Sequence, residues 1–104
     1  MNTPLYNSLS ELIDKNTLRM HMPGHKGKAY FKPFDSIFPY DFTETPQTGN
    51  LYEEDGAIRE AELLAAKLYK SYDCHFLTGG STEGIHAMLG AICSDGGSVL
   101  LDRN

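Results

Sequence analysis

Cys74-His75-Phe76-Leu77-Thr78-Gly79-Gly80-Ser81-Thr82-Glu83-Gly84-Ile85 is the stretch from which the fold is read. A short, mostly apolar run, as a buried strand would be, passes through two glycines. Beyond them Ile85, Met88, Leu89 and Ile92 recur at helical spacing, which predicts a helix from about Ser81 to Ser94. Gly79 and Gly80 permit a tight turn and close backbone approach, and Ser81 or Thr82 can cap the helix and donate a hydroxyl. A helix N-terminus leaves four N–H groups without an intrahelical partner, partly positive and suited to a phosphate. The same residues also describe a plain N-cap after a glycine turn. Neither the GxxxxGK[ST] spacing of a Walker loop nor GxGxxG is present.

Working outward, Asp95-Gly96-Gly97 breaks the helix, and Ser98-Val99-Leu100-Leu101-Asp102 has no alternation, as expected of a strand covered on both faces. Upstream, Ile58, Ala61, Leu64, Ala65, Leu68 and Tyr69 follow the i, i+3, i+4 spacing of an amphipathic helix. Arg59, Glu60 and Lys67 take its wet side, and Leu63 falls outside the stripe. Helix–strand–helix–strand is the start of an α/β domain with parallel strands, in which ligands bind beyond the carboxyl ends of the strands, where Thr78–Thr82 lies. Open sheets usually have about four to six strands. Two are therefore expected to be the beginning of a doubly wound, incomplete sheet.

The first half is less regular. Pro4–Lys15 reads as a helix with Leu5, Leu9, Leu12 and Ile13 on one face and Asn16 at its end, and Leu18–Met22 as a short extended segment. Pro23 to Gly56 then forms a long irregular region with Pro23, Pro33, Pro39 and Pro46 and six aromatics between Tyr30 and Phe42. Such loops are usually functional or interface-forming. Residues 1–55 are accordingly expected to be an N-terminal helix and aromatic, Pro-rich arm, and 56–104 the start of an α/β domain.

Within the arm, His21-Met22-Pro23-Gly24-His25-Lys26-Gly27 is either a plain turn or an ordered loop presenting cationic donors. Pro23 and Gly24 break the helical geometry that would let the two histidines share a metal, so no metal is assigned. Asp41 and Glu44 are either acid/base groups or parts of a capped turn, and Glu53-Glu54-Asp55 is an acidic turn before a helix N-terminus.

At 104 residues, 40% hydrophobic and 22% charged, the chain is about one globular domain. Its net charge of −5 argues against nucleic acid, and no apolar run approaches the roughly 20 residues of a membrane span. Met1–Pro4 lacks the character of a signal peptide, and Cys74 and Cys93 read as buried reduced thiols, so a cytoplasmic protein is expected.

Taken in order, Met22-Pro23-Gly24-His25-Lys26-Gly27, Asp41-Phe42-Thr43-Glu44, Gly56-Ala57-Ile58-Arg59-Glu60-Ala61-Glu62, Thr78-Gly79-Gly80-Ser81-Thr82 and Val99-Leu100-Leu101-Asp102-Arg103-Asn104 resemble the N-terminal part of the Orn/Lys/Arg decarboxylase family. These are fold-type I, aminotransferase-like pyridoxal-phosphate enzymes. The resemblance runs from about Leu5 onward, and its Pro-Gly-His-Lys element is the most specific part.

The resemblance implies that Gly80, Ser81 and Thr82 bind the phosphate of pyridoxal 5′-phosphate. Glu83-Gly84 departs from the commoner small residues there and leaves that role intact. His25 and Lys26 match a family signature but receive no catalytic step. The Schiff-base lysine belongs to a downstream Ser-x-His-Lys element, so no catalytic residue is assigned in this chain. The expected whole protein decarboxylates arginine, lysine or ornithine and is a dimer or larger homo-oligomer, while the 104 residues alone are expected to be inactive. Alternatives are another fold-type I enzyme, such as an aminotransferase-like protein, and a non-catalytic α/β interaction module using the aromatic loop.

Overall fold

The computed structural model describes residues 2–93 and 96–103. It divides into two compact units, Met1–Cys74 and His75–Asn104. The first contains α1 (Pro4–Asp14) and α2 (Gly56–Tyr69), with 3₁₀ turns at Lys32–Phe34 and Phe38–Tyr40; the second contains α3 (Gly80–Ile92).

α1 begins as its sequence dictates, with Pro4 in the first turn where its missing N–H costs nothing. Asn16 ends it in the left-handed region at φ 46°, its N–H bonded to the Ile13 carbonyl. Leu5, Leu9, Leu12 and Ile13 are all half-buried, as the stripe predicts. α1 packs on α2 and on the Phe38–Tyr40 turn, where the Tyr6 and Tyr40 rings stack at 5.5 Å. The Tyr40 hydroxyl donates to Tyr6 at 3.3 Å, which lowers the Tyr6 pKa and raises that of Tyr40.

α2 follows the expected line only in part: Ile58, Ala61 and Ala65 are half-buried, but the most buried positions lie beside them. Ala66 and the carboxyl-bearing Glu62 are buried, whereas Leu68 and Tyr69 are 75% and 79% exposed. The reason is polar. Arg59 pairs bidentately with Asp73 at 2.8 and 2.9 Å, tying the first turn of α2 to the chain just past its end, and reaches Glu62 at 3.4 Å. The Asp73 carboxylate holds the guanidinium charged still further above its ordinary range.

The two expected strands are absent: no described residue lies in a β-strand. Residues 75–78 and 97–102 occupy their places as irregular chain, because a strand exists only through a neighbour's hydrogen-bond ladder. Leu100 is 99% exposed. The expected helix end at Ser94 and the residue Asp95 fall outside the described residues, and α3 closes with the Cys93 N–H on the Leu89 carbonyl at 2.8 Å. Cys74 and Cys93 are free and half-buried. No helix among the described residues is long and apolar enough to cross a membrane.

Candidate functional site

The glycine corner lies wholly in the second unit. Gly79 is the N-cap of α3, and Gly80 opens the helix at φ +78°, a left-handed conformation that glycine adopts without strain. A Cβ built on Gly80 would meet nothing within 4 Å, so the space beside this backbone is open. The N-cap glycine has no side chain to cap α3, and Ser81 and Thr82 are exposed. The N–H groups of Gly80, Ser81 and Thr82 precede the first intrahelical bond. Three backbone donors and two hydroxyl-bearing residues thus belong to the first turn of α3 beside an open space, residue types that suit an oxyanion. The Gly79 N–H is committed to the Glu83 carboxylate at 2.7 Å.

In the first unit the Pro-Gly-His-Lys loop is consumed by its own architecture. Gly27 donates its N–H to His25 Nδ1 at 2.9 Å, which makes that nitrogen an acceptor and puts the ring proton on Nε2. Nε2 donates to Asp41 at 2.9 Å, and the ring stacks on Phe38 at 4.6 Å. Both nitrogens of His25 are engaged. Lys26 donates Nζ to the His21 carbonyl at 2.6 Å, and His21 itself bonds through Nδ1 to the Met22 carbonyl.

Arg19 holds this loop against the next, and the sequence reading missed its role. Its guanidinium donates to the Pro39 carbonyl at 2.6 Å and to the Phe38 and Asp41 carbonyls at 3.5 Å, and lies 3.8 Å over the Phe42 ring. Gly27 (φ +75°) lies so close that a Cβ would sit 2.4 Å from Arg19 Nη1. No sequence signal marks this residue, because its partners are backbone carbonyls.

The Asp41–Glu44 segment resolves as structural. Asp41 anchors His25, and Glu44 accepts the Leu51 N–H at 3.3 Å. Buried Thr48 donates its hydroxyl to the Thr43 carbonyl at 2.8 Å and accepts the Thr45 N–H at 2.8 Å. Asp55 takes the Asn50 N–H at 2.7 Å rather than capping α2. Gly80, Ser81 and Thr82, the three residues that the resemblance implies, stand in the first turn of α3.

Comparison with known proteins gives these elements a context. The model of the Orn/Lys/Arg decarboxylase major domain matches residues 3–104. The chain is 38% identical over 109 residues to the uncharacterized protein YaaO of Bacillus subtilis, covering 100% of this chain and 23% of that protein. It is 27% identical to the inducible ornithine decarboxylase of Lactobacillus sp. (strain 30a), covering 97% of this chain and 16% of that protein. It is 28% identical to an arginine decarboxylase of Bacillus subtilis, covering 98% and 22%. The chain thus spans less than a quarter of the length of these relatives. No solved structure matches.

Proposed function

The chain belongs to the Orn/Lys/Arg decarboxylase family, and from that premise we propose that it is the N-terminal part of an enzyme removing the α-carboxylate of arginine, lysine or ornithine with pyridoxal 5′-phosphate. The observation that carries this reading is the open donor corner at the start of α3, where Gly80, Ser81 and Thr82 offer their N–H groups and two hydroxyls. Their donors fit a phosphate: no side chain fills the corner beside Gly80, and the helix end adds a partial positive charge. When bound, pyridoxal phosphate supplies the sink for the electrons that CO₂ leaves behind. The contribution of this chain is to hold the phosphate end. Lys26 is turned onto the His21 carbonyl and takes no catalytic role.

The exposure of Leu68, Tyr69, Ile92 and Leu100 supports placing these helices in a larger fold-type I α/β body. By role, residues 1–55 are an arm on that body and 56–104 the start of its cofactor domain, in a cytoplasmic homo-oligomer of at least two copies.

Titration of the ¹⁵N-labelled chain with pyridoxal 5′-phosphate should move the amide signals of Gly80, Ser81 and Thr82. Replacing Ser81 and Thr82 together by Ala should weaken that binding about tenfold or more, since a hydrogen bond to a charged group contributes about 1.5–3 kcal/mol. Shifts confined to residues near surface lysines, or affinity indifferent to the double substitution, would sink the site. A second assay concerns activity. With cofactor and ¹⁴C-carboxyl-labelled arginine, lysine or ornithine, the 104 residues should release no more CO₂ than free cofactor does, and clear turnover would contradict the division of labour.

A further inference from the structure

Glu83 is the anomaly of the donor corner. A site built for a phosphate carries, four residues after Gly79, an anion of its own already seated on it. Glu83 Oε2 accepts the Gly79 N–H at 2.7 Å. The contact is close along its whole length: a Cβ at Gly79 would fall 2.6 Å from Oε2, 3.1 Å from Cδ and 3.2 Å from Cβ of Glu83. Any side chain at 79 would push the carboxylate off. Glycine at 79 therefore serves this contact, whereas glycine at 80 serves the backbone turn at φ +78°.

Resting on the reading of Gly80–Thr82 as a phosphate site, we infer that Glu83 is an internal anion that occupies the α3 N-terminus when no phosphate is present and competes with phosphate for it. Three physical points support the competition. The N-terminal half-charge of a helix is finite, and one carboxylate already neutralises much of it. The Gly79 N–H adjoins the donors assigned to the ligand, so a phosphate that also reaches Gly79 must take that N–H from Glu83. A dianion on Gly80–Thr82 also faces a like charge inside one Debye length. The result is a cofactor anchor with affinity set below its maximum. Glu83 is thus a tuning residue for the anion and performs no chemistry.

The inference separates from simple helix capping by the sign of one measurement. A capping Glu83 stabilises α3 and leaves ligand affinity alone or improves it. A competing Glu83 weakens affinity. The probes are inorganic phosphate and pyridoxal 5′-phosphate, titrated into the ¹⁵N-labelled 104-residue chain and its Glu83→Gln and Glu83→Ala variants, read at the amides of 79–82. Both variants should bind about two- to five-fold more tightly than the parent chain, the fold-change that a helix-terminal charge is worth, and the gap should shrink in 0.5 M salt. In the parent chain the Gly79 amide should move on adding phosphate, as it exchanges one acceptor for another. That shift needs no variant to fold.

Equal or weaker binding in both variants, with the parent chain still binding at 80–82, overturns the role of Glu83 and leaves the phosphate site standing. Absence of binding at 79–82 in all three proteins overturns the phosphate site and the inference together. Binding that emerges only in the variants supports it.

Discussion

Arg19→Ala is expected to destabilise the Met1–Cys74 unit by about 2–4 kcal/mol, since a charge-assisted hydrogen bond contributes about 1.5–3 kcal/mol and a partly buried cation–π contact about 0.5–2, without full additivity. The guanidinium bridges the carbonyls of Phe38, Pro39 and Asp41 while lying over Phe42. Truncation strips the Pro39 carbonyl of a 2.6 Å partner and frees the 38–42 turn from the glycine loop. Arg19→Lys should recover little, because one ammonium cannot span three carbonyls as a planar fork does.

Pro4 and Ala66 are the only buried apolar side chains among the described residues, so losses of this size are a large share of what holds the unit. Urea unfolding followed by far-UV circular dichroism measures the loss, and amide exchange at Tyr40 and Asp41 locates it, since their N–H groups bond within that turn. The clamp is also tested by a cycle. Gly27→Ala should cost less in the Arg19→Ala background, where the space 2.4 Å from Nη1 is vacated, than in the parent chain. Additive costs would show that the two loops are held by something else.

How much of this could be read from the chain depends on where each partner sits. The three helices were legible because their signals are local. Pro4 and Asn16 bracket α1, and the 3.6-residue periods of Ile58–Tyr69 and Ile85–Ile92 mark the other two. The strands were not, because Phe76-Leu77 and Leu100-Leu101 become strands only when a neighbour supplies a ladder, and none of the described residues does.

The inner face of α2 was legible only in part, for a related reason: Ile58, Ala61 and Ala65 lie half-buried as their spacing predicts. Hydrophobic periodicity favoured Leu64 and Leu68, but Glu62 is buried beside Arg59, whose bidentate partner Asp73 lies fourteen residues along the chain. The Gly80-Ser81-Thr82 donors were legible as residue types. The seat of the Glu83 carboxylate on Gly79 was not, since a glutamate at that spacing reads equally as a solvated first-turn charge. Arg19 was the hardest case, because backbone carbonyls leave no mark in a sequence.

Gly49→Ala is the sharpest test that the irregular region is a built structure rather than slack chain. Gly49 is buried, its φ is +85°, and its N–H bonds to the Thr45 carbonyl at 2.9 Å. A Cβ there would stand 2.8 Å from the backbone oxygen of Asp55 and 3.1 Å from Asp55 Oδ1. Neither oxygen can yield freely. The backbone oxygen accepts the Arg59 N–H in the first turn of α2, and Oδ1 accepts the Asn50 N–H at 2.7 Å.

The methyl therefore brings left-handed strain of about 1–2 kcal/mol and endangers two bonds at about 0.5–1.5 kcal/mol each, together about 2–5 kcal/mol. Loss should spread from the loop into the start of α2, because Asp55 belongs to both. Gly90→Ala supplies the contrast. That glycine lies inside α3 with nothing within 4 Å of an added Cβ, so alanine there should stabilise by about 0.8–1 kcal/mol. Thermal melts of the two variants should move in opposite directions, with exchange of the Arg59 amide accelerated only in Gly49→Ala. If Gly49→Ala melted with the parent chain, the 43–55 region could not be packed as described, and the polar contacts of Thr48, Asp55 and Glu44 would lose their role in setting α2.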